Sequence, residues 1–370
     1  MAMIISSKEK LIYKFGNNGF SKVNNKLKEY ASAVGGVLYY IEDYGILNDP
    51  ISIGNFINSR DQNGENSVLI VGGDNIIPFH KVNNPASDDG DEIIYTDNIY
   101  ASIDDEILIP ERSVGRIPDG DNLNFLISVL DNLLEYRGIH TEKAKGIIGL
   151  LLEIINMILG KKKENVDYSI SGSLGDTAKV WVEASKNIYC VLSENFKNFY
   201  SCPPTKFDNL NEEQKDKKEY YYFNLHGSEI GSNWYGQENA TDEILPIAIK
   251  PSDLNNLHIK GCIVCSEACY GAKLSQGSIA LKFLEKGCIG FCGSTKIAYG
   301  NDGLPLCDAD IIAKKFLSYV MNGETFGNAL MKAKQDFVIE SSRKGYLDAT
   351  EKKTLLEFVL YGDPDLKLKI

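Results

Sequence analysis

Six short runs of apolar, often β-branched residues punctuate this 370-residue chain: 34–42 (VGGVLYYIE), 67–73 (SVLIVGG), 146–153 (GIIGLLLE), 219–227 (EYYYFNLHG), 261–269 (GCIVCSEAC) and 287–294 (GCIGFCGS). Near-continuous apolar runs of this length suit strands covered on both faces, so they predict an α/β fold around a mainly parallel central sheet. Between Asn122 and Arg137, Leu123, Ile127, Leu130, Leu133 and Leu134 fall at helical spacing. A polar, aperiodic stretch at 138–145 marks a boundary between a smaller leading α/β subdomain, residues 1–140, and a larger one, residues 141–370. From about residue 160 to residue 175 the sequence is polar and contains Gly and Ser, which predicts an exposed loop.

Bulk properties exclude several classes of function. A formal net charge of −12 disfavours nucleic acid and anionic lipid as partners. Lys8 and Lys10 stand where a signal peptide would need its apolar run, and Glu153 and Asn156 interrupt the longest apolar stretch. The expectation is a cytoplasmic protein with no membrane segment. The eight cysteines include Cys262-x-x-Cys265, but no second ligand pair follows it, so reduced thiols are expected and no metal site is assigned.

Two of the apolar runs end in reactive side chains. FNLHGS delivers His226 and Gly227, and IVCSEACYGA delivers Cys269. Catalytic groups of open α/β sheets gather at the carboxyl ends of strands, where these residues can meet. A thiol paired with imidazole is a nucleophile for acyl transfer. Gly227, lacking a Cβ, lets a substrate backbone approach, and its N–H with that of Cys269 can face a developing oxyanion. Taken singly, each of the two would read as a core histidine or a buried thiol. Glu267, two residues before Cys269, should share its side of the strand if alternation continues, placing an acid beside the nucleophile to read a basic side chain; pairing with a structural Lys or Arg is the alternative.

In this order, His226-Gly227 and Ala268-Cys269 resemble the signatures of the caspase-like superfamily. VLIVGGDNIIP (68–78), YTDNIYASIDD (95–105), VGRIP (114–118), GFCGSTKIAYG (290–300), TFGNALMKA (325–333) and FVLYGDPDLKL (358–368) narrow the resemblance to gingipain-like cysteine peptidases. That resemblance implies a caspase-like α/β/α sandwich and an endopeptidase cutting protein or peptide substrates, here after Arg or Lys. It also implies a carboxylate behind the histidine, assigned to Glu153, and a specificity acid, assigned to Asp176, for which a helix N-cap is the competing role. Tyr299 falls where the family has an aromatic pocket wall, with core packing as the alternative.

No cofactor is required for this hydrolysis. The resemblance brings calcium into view, with Asp88, Asp89, Asp91 and Glu92, or Asp97, Asp104 and Asp105, as candidate ligands; solvated loops are the plainer reading. Gingipains are secreted and carry adhesin modules, whereas this sequence shows neither an export signal nor such modules. An intracellular protease awaiting an activating partner in a defence or signalling setting is therefore expected, with self-cleavage near Lys161, Lys162 and Lys163 as one route to activation. A caspase-fold scaffold with little hydrolytic activity is the alternative.

Overall fold

The computed structural model describes residues 2–87, 89–138 and 170–369. Its leading part supplies strands β1 (Met3–Ser6), β2 (Val37–Tyr40) and β3 (Val68–Val71), a hairpin of β4 (His80–Asn83) and β5 (Ile93–Thr96), and β6 (Val114–Ile117). The trailing part supplies β7 (Ser173–Ala178), β8 (Phe199–Cys202), β9 (Tyr220–Asn224), a small pair β10 (Trp234–Tyr235) and β11 (Ile247–Ile249), then β12 (Ile263–Ser266), β13 (Gly290–Ser294) and β14 (Phe358–Gly362). Ten of these strands form one sheet, ordered β2-β1-β3-β6-β14-β13-β12-β9-β7-β8.

The sheet is parallel within two blocks. β2, β1, β3, β6 and β14 run one way, and β13, β12, β9, β7 and β8 run the other, because β14 pairs antiparallel with β13 and parallel with β6. The amino end of β14 therefore lies at the edge where β9, β12 and β13 end. Helix 349–357, which leads straight into β14, delivers its last turns to that edge, and the N–H of Thr295 donates to the Glu357 carbonyl at 3.0 Å.

Helices cover both faces, as the continuous apolar strands require. Helices 8–34, 123–136 and 279–285 pack in succession on one side, and helices 182–189, 308–321, 326–341 and 349–357 pack with one another on the other. The helix expected from the leucine spacing occupies Leu123–Tyr136, with Asn122 capping it through the N–H groups of Asn124 and Phe125. Among the described residues no helix is long and apolar enough to cross a membrane.

Part of the expected loop is instead strand. Ser173, Leu174 and Gly175 open β7 and are buried. Small residues there make room for aromatic cover: a Cβ at Gly175 would crowd Tyr189 and Phe199, and the hydroxyls of Ser173 and Tyr189 bond at 2.8 Å. The strand expected at 146–153, with Glu153, and the residues Lys161–Lys163 lie outside the described residues, as does most of the boundary at 138–145.

One buried ion pair pins the leading block. Arg116 of β6 is wholly buried; its Nε and Nη2 reach the Asp97 carboxylate at 2.9 and 2.5 Å, and Nη1 donates to the carbonyls of Gly72 and Ile77 at 2.8 and 2.7 Å. All three guanidinium nitrogens are thus bonded, which offsets the cost of dehydrating the charge. Asp97→Ala should destabilise the fold by about 3–5 kcal/mol in denaturant unfolding, the cost of stranding a buried charge; a loss below about 1 kcal/mol would mean that water reaches the site.

Candidate active site

The neighbouring strands β9 and β12 bring the two motifs together. His226 stands two residues past β9, in a bridge with Tyr235: its N–H donates to the Tyr235 carbonyl at 2.9 Å and its carbonyl accepts from Tyr235 at 2.8 Å. Cys269 follows β12 on a turn closed by the Gly271 N–H donating to the Ala268 carbonyl at 2.8 Å. Gly227 is seated directly on this turn, since a Cβ there would overlap the Cys269 carbonyl oxygen. Glycine is required by that approach. Neither the Gly227 nor the Cys269 backbone N–H has an acceptor among the described residues. Open donors side by side are what an oxyanion needs.

The imidazole of His226 is held by two residues that sequence reasoning missed. Trp181 packs against it at 4.4 Å between ring centroids, and Nε2 bonds the Gln237 side-chain oxygen at 2.8 Å. With Nε2–H donating to that oxygen, Nδ1 is the nitrogen left to take up a proton. Gln237 is itself fixed, donating its N–H to the Cys202 carbonyl at 3.0 Å and accepting from Val180 at 3.0 Å. Both lie far in sequence from the expected carboxylate, Glu153, and no spacing rule marks them.

The thiol points towards the turn after β13, with Cys269 Sγ 3.7 Å from the Ala298 carbonyl. Burial pushes the Cys269 thiol up to about 11, with the bond to Ala298 and the charge of Lys353 opposing, and Glu357 and Asp91 reinforcing. Burial also lowers the His226 imidazole, against the Gln237 bond. The two side chains do not hydrogen-bond each other here. The resting state these environments favour is neutral thiol and neutral imidazole.

Glu267 is not an open acidic wall. β12 ends at Ser266, so strand alternation does not extend through Glu267 to Cys269. Its side chain is buried, and its Oε1 accepts from the Tyr222 hydroxyl at 2.6 Å. Burial, followed by the charge of Asp310, holds its carboxyl well above the usual range. Among the described residues no other donor reaches Oε2 of Glu267 or Oδ1 of Asp310, and the two carboxyls hydrogen-bond each other, with Glu267 the protonated donor. Asp310, which sequence reasoning also missed, accepts through Oδ2 from Asn301 and Cys307 at 2.9 and 3.2 Å.

Asp176 is neither N-cap nor neighbour of Glu267. It lies within β7 opposite Phe223, one residue out of phase with the Gly175–Tyr222 pair, and so faces the other side of the sheet from Tyr222. Burial pushes its carboxyl up to about 8, and among the described residues Oδ1 has no hydrogen-bond partner. Tyr299 donates its hydroxyl to Asp89 at 2.7 Å and lays its ring against Lys353 at 5.3 Å, so it braces a buried charge cluster and is not a free pocket wall.

Two acids of the loop expected to be solvated, Asp89 and Asp91, turn their side chains inward. Lys353, wholly buried, bonds Asp89 and, at 2.8 Å, Asp91. Glu92, Asp104 and Asp105 are exposed, Asp97 is bound to Arg116, and Asp88 lies outside the described residues. Among the described residues no cluster of three or more His, Cys, Asp or Glu could hold a metal ion.

Residues 39–369 match the profile of peptidase family C25. The fold is similar to the crystal structure of the Arg-specific cysteine proteinase gingipain R (RgpB), with a TM-score of 0.65 and 15% identity over 100% of this chain and 78% of that one. It is likewise similar to the complex of Porphyromonas gingivalis RgpB pro- and mature domains, with a TM-score of 0.65 and 14% identity over 100% and 80%. A further structure described only as a protease gives 0.61 and 15% over 99% and 78%. No curated protein matches the chain significantly in sequence.

The neutral resting pair makes a direct prediction. Alkylation of Cys269 by iodoacetamide in the ligand-free protein, followed by peptide mass analysis, should accelerate about tenfold per pH unit through the neutral and mildly alkaline range. A rate already level at neutral pH would instead reveal a preformed thiolate and imidazolium.

Proposed function

The chain belongs to peptidase family C25, the gingipain family of cysteine endopeptidases, and on that premise we propose that Cys269 and His226 are its catalytic dyad and that it cleaves after basic residues. The observation that carries the dyad is the seat of Gly227 on the Cys269 turn, with neither backbone N–H bonded to an acceptor among the described residues. Cys269 Sγ attacks the scissile carbonyl as His226 takes the thiol proton. The carbonyl oxygen, now negative, is received by the N–H groups of Gly227 and Cys269. His226 returns the proton to the leaving amine, and water then releases the acid from the acyl-enzyme.

Two buried carboxyls support the basic preference. Glu267 and Asp310 lie together and hydrogen-bond each other through a proton on Glu267, and among the described residues no other donor reaches Oε2 of Glu267 or Oδ1 of Asp310. A guanidinium or ammonium would replace that shared proton and let both carboxyls ionise in charge-assisted hydrogen bonds. The Arg specificity named for gingipain R is in keeping with this assignment.

Profiling on a peptide library tests both parts. Cys269→Ala should abolish hydrolysis. Glu267→Gln keeps the shape and removes the charge, so kcat/KM on Arg and Lys substrates should fall roughly 10–100-fold, the worth of a charge-assisted hydrogen bond. An undiminished basic preference would remove Glu267 from specificity, and turnover by Cys269→Ala would overturn the dyad.

A further inference from the structure

We propose that Asp91, on the loop between β4 and β5, is a positioning residue for the nucleophile, holding from the leading part of the chain both walls of the site in which Cys269 sits. The inference rests on the reading of Cys269 as nucleophile.

The first wall is the nucleophile's own turn. Tyr270, the residue after Cys269, has φ +55, a left-handed backbone that a side chain with a Cβ disfavours. Its N–H donates to the Lys296 carbonyl at 2.8 Å, and its hydroxyl donates to Asp91 Oδ1 at 2.7 Å. The long tyrosine side chain thus fastens an unfavourable turn to a point outside it. The second wall is the turn after β13, whose Ala298 carbonyl faces the thiol. There the N–H of Ile297, one residue earlier, donates to Asp91 Oδ2 at 2.9 Å. A single carboxylate therefore fixes the residue following the nucleophile and the residue preceding the carbonyl that the nucleophile touches.

Asp91 is well built for this purpose. Besides those two bonds, Oδ2 accepts from Lys353 at 2.8 Å and Oδ1 lies 3.3 Å from Lys296 Nζ. Its own N–H donates to Asp89 Oδ1 at 2.9 Å. Lys353 and Lys296 balance Asp89 and Asp91 in charge, and the carboxylate is held as an anion despite its burial: dehydration would raise its pKa, and the Lys353 and Ile297 bonds override this. Four donors from three separate segments converge on one rigid anion, which is how a reactive group is kept within a few tenths of an ångström of its working place.

The decisive variant is Tyr270→Phe, which deletes one hydroxyl and leaves the ring; Asp91→Asn, which removes the charge, should act in the same direction and more strongly. Two labelling rates are compared at Cys269 in the full chain. A peptidyl-Arg acyloxymethyl ketone must be attacked in the substrate geometry, whereas iodoacetamide needs only an accessible thiol. Positioning predicts that ketone labelling and kcat fall at least tenfold, with KM and iodoacetamide labelling within about twofold of wild type. Unchanged ketone labelling in Tyr270→Phe, or an equal fall in both rates, overturns the proposal, the second outcome marking a merely structural bond. Failure of wild type itself to react with the ketone at Cys269 is a different result: it sinks the dyad reading, and this inference with it.

Discussion

The pairing of β14 with β13 on one side and β6 on the other is the constraint from which the architecture follows. It joins two parallel blocks of opposite direction into one sheet, and it places the amino end of β14 where β9, β12 and β13 finish. Helix 349–357 is carried to the same edge. Without that reversal, Lys353 and Glu357 would lie far from Cys269, and the loop between β4 and β5 would lose the buried cation that bonds both Asp89 and Asp91.

Buried acids in the molecule fall into two groups, and what separates them is a partner. Asp97, Asp89 and Asp91 have Arg116 or Lys353 against them, and for Asp89 and Asp91 the ion pairs and hydrogen bonds outweigh dehydration, so the anion is favoured. Among the described residues Glu267, Asp176 and Glu357 form no ion pair; dehydration wins, at Glu357 even against the nearby charge of Lys353, and the neutral acid is favoured. The first group fixes backbone. The second carries unspent hydrogen-bonding capacity, and buried titratable groups of that kind concentrate where proteins bind or react.

Much of this was legible in the sequence, for local reasons. The runs ending at His226 and Cys269 are apolar enough to declare themselves strands, and the leucines of 123–136 repeat at helical spacing. β7 was hidden because SLGDTA has small and polar residues where a strand usually shows Val or Ile; its aromatic cover comes from Tyr189 and Phe199. The charge cluster was hidden because Asp91 and Lys353 are separated by 262 residues. Short acidic stretches read as solvated until a partner from elsewhere in the chain is known. Gln237 and Trp181 reach His226 by folding alone, and Glu267 was misplaced by extending strand alternation from the end of β12 at Ser266 through to Cys269.

The position of β14 also orders the assembly of the site in time. His226, Gly227 and Cys269 are all synthesised before helix 349–357 and β14 exist. A ribosome-bound chain that has reached residue 300 already holds the chemical groups, yet lacks Lys353 beneath Asp91 and the strand that ties the two blocks together. Chemistry encoded in the middle of the chain is thus completed by structure encoded after it, and the thiol is kept from its finished setting until both parts of the protein can close around it.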